Sequence, residues 1–145
     1  MKQNIYDDPA FFAGYAELRG NPFSANAVTE EPAMRALLPD DLRGQRVLDL
    51  GCGAGRLCRH IAVGGAVSVI GVDLSERMLA LAAGEGDFGG VITYHHCAVE
   101  DWEAAPGSYD LVVSSLALHY VEDVRPVFAN VARWLSPGGV FVFSV

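Results

Sequence analysis

From Arg46 onward, short runs of apolar residues alternate with stretches in which apolar side chains recur at helical spacing. The runs at about 46–50, 67–72, 91–94, 109–113 and 140–145 read as buried strands. Between them the pattern predicts helices over 55–63, from Ser75 onward and over about 123–135. Ser75 offers a side-chain cap and Glu76 a first-turn acid, while Met78, Leu79 and Leu81 give that helix an apolar side. Glycine-rich punctuation separates the elements: Gly84 to Gly90 precedes strand three, and Ser136-Pro137-Gly138-Gly139 turns into strand five. Apolar strands interleaved with helices predict an α/β fold, a parallel sheet covered on both faces. Right-handed crossovers then allow a doubly wound sheet of order 3-2-1-4-5, with its switch point between strands one and four.

The first 45 residues follow a different rhythm. Phe11, Phe12, Tyr15 and Leu18 fall on or near one helical face after Pro9, a favourable helix-starting residue. Asn21-Pro22-Phe23-Ser24 breaks this helix, a second spans about Glu30 to Leu38, and Asp40 to Gln45 is a polar loop. Residues 1–45 are therefore expected to form a helical cap or lid on a ligand-binding domain at 46–145, with a plain packing helix as the equal alternative.

Composition narrows the class. A chain of 145 residues is about one domain long, and 51% hydrophobic with 19% charged residues is a globular balance. A net charge of −8 without a basic cluster argues against nucleic acid as the partner. No apolar run is long enough to span a bilayer, and the polar start Met1-Lys2-Gln3-Asn4 lacks a signal-peptide pattern, so no membrane partner and a cytoplasmic location are expected. Cys52, Cys58 and Cys97 are odd in number and lack metal-ligand spacing; they read as reduced thiols, and no metal site is expected.

The chemistry concentrates in Val47-Leu48-Asp49-Leu50-Gly51-Cys52-Gly53-Ala54-Gly55-Arg56, where a strand ends in an acid and three alternate glycines before a helix. Glycine lets the backbone take positive φ and approach a ligand, and the first helical N–H groups face outward. Such a turn also serves simple chain reversal. The second strand, however, ends in Asp73, about twenty residues on, the offset at which an acid meets ribose hydroxyls. Asp49, Gly51, Asp73, the stretch Cys97 to Asp101 and Ser114 all fall at strand ends on the edge where such sheets bind ligands.

These blocks resemble a class I S-adenosylmethionine-dependent methyltransferase of the small-molecule kind called type 11, with its Rossmann-like sheet. The resemblance is carried by 47–55, by Gly71-Val72-Asp73-Leu74-Ser75-Glu76-Arg77-Met78-Leu79, by Val99-Glu100-Asp101-Trp102, by Tyr109 to Tyr120 and by Leu135-Ser136-Pro137-Gly138-Gly139. It implies S-adenosyl-L-methionine as cofactor, S-adenosyl-L-homocysteine as product and a small-molecule methyl acceptor. Asp49, Gly51, Cys52 and Gly53 would cradle the methionine end, with the Asp49 carboxylate near its ammonium. Asp73 would hold the ribose, Leu74 and Met78 would pack on the adenine, and the Val99 backbone would meet its edge. Many relatives carry an acid where this chain has Ala98; Glu100 or Asp101 can compensate, or remain exposed loop acids. Tyr15, with Tyr6, Phe11 and Arg19, would close over the cofactor, and Ser114 and Ser115 would line the acceptor side or serve close packing. His119 is the one candidate base near the methyl, with an orienting role preferred; His95 and His96 read as edge residues. Relatives usually continue with two more strands, whereas this chain ends at Val145, so the strand-five edge is a candidate for pairing with a second copy in a homodimer. Two other functions compete. An NAD-dependent oxidoreductase shares the glycine turn and second-strand acid, although Asp49 would face a pyrophosphate and Leu57 stands at the sixth-position glycine. A cofactor-binding module without catalysis is the other.

Overall fold

The computed structural model describes residues 4–145; the first three residues of the polar start lie outside the described residues. Five strands, β1 (Arg46–Leu50), β2 (Ser68–Asp73), β3 (Ile92–His96), β4 (Tyr109–Ser114) and β5 (Leu135–Phe143), form one parallel sheet of order β3-β2-β1-β4-β5. The expected order is the observed one. Leu48 of β1 lies opposite Ile70 of β2 and Val112 of β4, which aligns the carboxyl ends of the three central strands.

Alternation along the strands divides the core in two. Val47, Val69, Leu111 and Val113 pack on one face with Cys58 and Ile61 of α3 (Arg56–Val63). Leu48, Leu50, Val72 and Val112 pack on the other with Val127, Val131 and Trp134 of α5 (Arg125–Trp134), which share a helix face by their spacing. Each fully buried aliphatic side chain in these layers contributes about 1.5–3 kcal/mol, so helices on both faces are what stabilise an otherwise bare apolar sheet.

Ser75 caps α4 (Glu76–Gly84) as expected, its Oγ accepting the Met78 N–H at 3.2 Å. Met78 and Ala82 are the buried face of this helix; Leu81, expected with them, is half exposed and turns toward a cavity. The N-terminal segment contains α1 (Pro9–Gly20), a wide helical turn at Asn26–Glu30 and α2 (Glu31–Leu37). Met34 and Leu38 join the core layer of β1 and β2. The apolar residues of α1 are not buried: Phe12, Tyr15 and Ala16 line an open cavity, and Leu18, outside it, is 57% exposed.

Strand five departs from expectation at its start. Helix α5 stops at Trp134, and the anticipated turn 136–139 is an outward loop inside β5: the register moves from Tyr109 opposite Leu135 to Leu111 opposite Val140. Proline cannot donate to the ladder and Gly138 takes φ +79°, while the Ser136 hydroxyl anchors the loop on Asp110 at 2.8 Å. Beyond Phe143 the pairing continues through Ser144, whose N–H reaches Ser114 O at 3.0 Å.

Candidate functional site

The turn from β1 into α3 is pinned to β2, since the N–H groups of Gly51 and Cys52 both reach Val72 O, at 2.8 and 3.0 Å. Gly51 and Gly55 both take φ +76°. A Cβ on Gly51 would lie 2.3 Å from the Ala117 Cβ, and one on Gly55 2.3 Å from the Tyr94 Oη. Glycine is thus required at both by space as well as by conformation. Gly53 has no neighbour there, and its N–H donates to Asp73 Oδ2 at 2.8 Å.

Asp73 also accepts the Ser75 N–H through Oδ1 at 2.8 Å. Burial raises its pKa while the backbone amides of Ser75, Gly53 and Leu74 oppose the rise. It stands in a cavity of about 70 Å³ with Leu74, Ala98, Val99, Glu100 and Gly51. Five residues singled out from the ends of β2 and β3 are therefore assembled around one space.

Asp49 is 1% exposed. Through Oδ2 it accepts a hydrogen bond from the Cys58 thiol at 3.2 Å, and burial pushes its pKa up to about 7. It reaches a second cavity of about 250 Å³, whose wall includes Gly51, Cys52, Gly53, Met78 and Tyr15. Met78 thus lines the cavity of Asp49 and not the one that Leu74 lines. Two arginines on that wall, Arg19 and Arg56, share one carboxylate oxygen of Glu31, at 3.7 and 3.0 Å.

A third cavity of about 330 Å³ is framed by Tyr6, Tyr15, Arg19, Ser115, His119 and Tyr120. The Tyr6 ring meets Tyr15 edge-on at 4.9 Å and Tyr120 at 5.8 Å, and the Tyr6 and Tyr120 hydroxyls are bonded at 2.9 Å. Gly51 belongs to all three cavities. The turn after β4 is strained, Leu116 having φ +51°, a conformation that costs on the order of 1–3 kcal/mol for a residue with a side chain.

Ser114 is not brought to this space: it is fully buried, and its hydroxyl donates to Leu50 O at 2.8 Å. His95 packs against Trp102 at 5.1 Å, and His96 bonds Leu74 O at 2.9 Å. Among the described residues no cluster of side chains is suited to a metal ion, and no helix is long and apolar enough to cross a membrane. Among the described residues no cysteine is in a disulfide.

Some site residues escaped the sequence. Asn4 Nδ2 reaches Leu74 O at 3.1 Å, and the Ser75 hydroxyl donates to Asp7 Oδ1 at 2.5 Å, so an N-terminal strap crosses the rim of the Asp73 cavity. Glu30 and Glu31 are equally new, and Arg56 was present in the glycine stretch without an assigned role. The sole signal was for Arg56, directly after the last glycine; the others meet the site through contacts that span tens of residues or more.

Residues 48–143 match the methyltransferase domain family. The chain is 39% identical over 148 residues to an uncharacterized protein of Haemophilus influenzae, covering 99% of this chain and 58% of that one. It is 39% identical over 105 residues to a ubiquinone biosynthesis O-methyltransferase of Aromatoleum aromaticum, covering 71% of this chain and 44% of the relative. The crystal structure of an S-adenosylmethionine-dependent methyltransferase from Mesorhizobium loti superposes with a TM-score of 0.74 at 47% identity, over 87% of this chain and 53% of that one. The chain thus spans about half the length of the relatives it matches.

Proposed function

Since the chain belongs to the methyltransferase domain family, we propose that its three cavities hold S-adenosyl-L-methionine and a small-molecule methyl acceptor, and that the protein transfers the methyl group between them. The observation that carries this is the position of Gly51 as a wall common to all three. A ligand laid across that glycine places a nucleoside beside Asp73 and an amino-acid end beside Asp49. The residues fit such a group. Asp73 accepts from ribose hydroxyls, Leu74 and Val99 offer apolar surface to a base, and Ala98 leaves room beside it. The amino-acid end meets the carboxylate of Asp49 and the guanidinium groups of Arg19 and Arg56.

The bound sulfonium supplies an already activated methyl group, so the protein's task is alignment. The third cavity lies across Gly51 from the nucleoside, and the rings of Tyr6, Phe11, Tyr15 and Tyr120 on its wall offer surfaces against which an acceptor would pack. His119 lines it, with its ring 4.2 Å from that of Tyr120, in position to orient an acceptor or to take its proton. Thiols outside any disulfide are in keeping with a cytoplasmic location, and the exposed Val140 and Phe143 on the outer strand β5 support pairing of two copies there.

Calorimetric titration with S-adenosylhomocysteine and with NAD tests the cofactor. Binding of the first alone is expected, and binding of NAD alone would reassign the site to hydride transfer. Asp73→Ala should weaken S-adenosylhomocysteine binding by about 1.5–3 kcal/mol, the usual cost of removing a charged hydrogen-bonding partner. An unchanged affinity removes Asp73 from the ribose. Binding without methyl transfer to any acceptor, tested on the full protein, would leave a cofactor-binding module.

A further inference from the structure

Glu30 ends the wide turn ahead of α2 and reaches the carboxyl ends of two strands. Its Oε1 accepts from the Ser115 hydroxyl at 2.5 Å and from the Ser144 hydroxyl at 2.6 Å, while its buried Oε2 has no hydrogen-bond partner among the described residues. Ser144 in turn receives the Leu116 N–H, at 3.1 Å on Oγ and 3.2 Å on the carbonyl. One carboxylate therefore fastens the left-handed turn that carries Ser115 past Gly51. A carboxylate has no proton to give, so both hydroxyls must donate to it. With its single proton committed, Ser115 can present only lone pairs to the two larger cavities that it lines. An oxygen that only accepts selects a donor.

We propose that Glu30 is a positioning residue, fixing Ser115 as the hydrogen-bond acceptor for the ammonium of the cofactor's methionine end. This rests on the site being an S-adenosylmethionine site. The charges around the Asp49 cavity favour this occupant over a donor on the methyl acceptor. Asp49 lies on its wall with Arg19 and Arg56, so the cavity offers both signs, as the head group of an α-amino acid requires. Ser115 and Glu30 also line a small adjoining space with the same two arginines, which keeps the acceptor oxygen and the carboxylate on one side of that head group.

Calorimetry with S-adenosylhomocysteine and with 5′-methylthioadenosine, which shares the nucleoside and thioether but lacks the amino-acid end, tests this. Ser115→Ala and Glu30→Ala should each lower affinity for S-adenosylhomocysteine about tenfold while changing that for 5′-methylthioadenosine less than about twofold. Glu30→Gln, which keeps an acceptor oxygen of the same reach, should restore most of the loss. Glu30→Ala should add nothing once Ser115 is alanine. Equal losses for both ligands would make the role a general structural one, and additive losses would detach Glu30 from Ser115; either overturns the proposal. Ser115→Ala leaves the Glu30 bond to Ser144 in place and decides the matter alone if Glu30→Ala does not fold. A wild-type protein that binds neither ligand would overturn the cofactor reading itself, a distinct outcome.

Discussion

Asp49 sits between two demands, those of the core and those of the ligand. Burial at 1% exposure lifts its pKa from 3.8 to about 7, so between those values the folded chain holds a proton that the unfolded chain has released. Its contribution to stability is accordingly full below the lower value and is lost as pH rises through the upper one. A cationic head group reverses the balance, because it favours the ionised carboxylate. Affinity for S-adenosylhomocysteine should therefore rise as pH passes through about 7, with a proton released on binding just below that pH. Calorimetry in buffers of different ionisation enthalpy measures the proton directly, and Asp49→Asn should abolish both effects. A flat affinity in the wild type would separate Asp49 from the ammonium. At this scale the sequence was readable wherever a residue follows the end of an apolar run. Parallel register carries Asp73, Leu74, Ala98, Val99 and Glu100 to one cavity. The sequence did not show that the Ser114 hydroxyl turns inward to Leu50 O, nor that Met78, on a helix and not at a strand end, lines the cavity of Asp49 and not that of Leu74.

Among elements, the strap formed by the turn Ile5–Asp7 is held at both rims of the Asp73 cavity. On one rim Asn4 bonds Leu74 O, and Asp7 accepts from the Ser75 hydroxyl and from the Arg77 N–H at 3.3 Å. On the other, Tyr6 bonds Tyr120. Desolvation is the largest single influence and raises the Asp7 pKa, but the bonds from Ser75, Asn4 and the Arg77 and Glu76 amides together outweigh it and hold the carboxyl below its ordinary range, so the latch stays ionised and closed at neutral pH. Asp7→Asn and Tyr6→Phe should each speed S-adenosylhomocysteine dissociation roughly threefold to tenfold in stopped-flow fluorescence, the effect of losing about one hydrogen bond on the exit barrier. Unchanged dissociation would mean that the ligand leaves without lifting the strap. The strap was invisible to periodicity because its partners lie some seventy and more residues away. The strands and α3 to α5 were legible because their apolar spacing is local. The loop inside β5 lies between these cases: Pro137 and the two glycines announced a turn, but only the pairing of Leu135 with Tyr109 shows that the strand has already begun.

At the scale of the molecule, the sheet is unevenly finished. β5 is an outer strand of the sheet on which Val140 is 41% and Phe143 42% exposed, and the Phe128 ring of α5 lies tilted beside Phe143 with 5.5 Å between ring centres. An apolar outer strand with unpaired backbone groups pairs readily with a second copy of itself, and a two-fold contact would bring each Phe128 and Phe143 patch onto its twin. The net charge of −8 opposes that approach at low ionic strength. Sedimentation velocity should therefore show a concentration-dependent dimer that strengthens as salt is added. Phe143→Lys places a charge on the edge and should return the chain to a monomer. Because Phe143 lines none of the three cavities around Gly51, the same variant should keep its affinity for S-adenosylhomocysteine. Loss of the dimer with binding intact would separate the edge from the site. A wild-type chain that stays monomeric at every concentration and salt would remove self-pairing, and loss of binding with the dimer would show that the second copy supports the cofactor site.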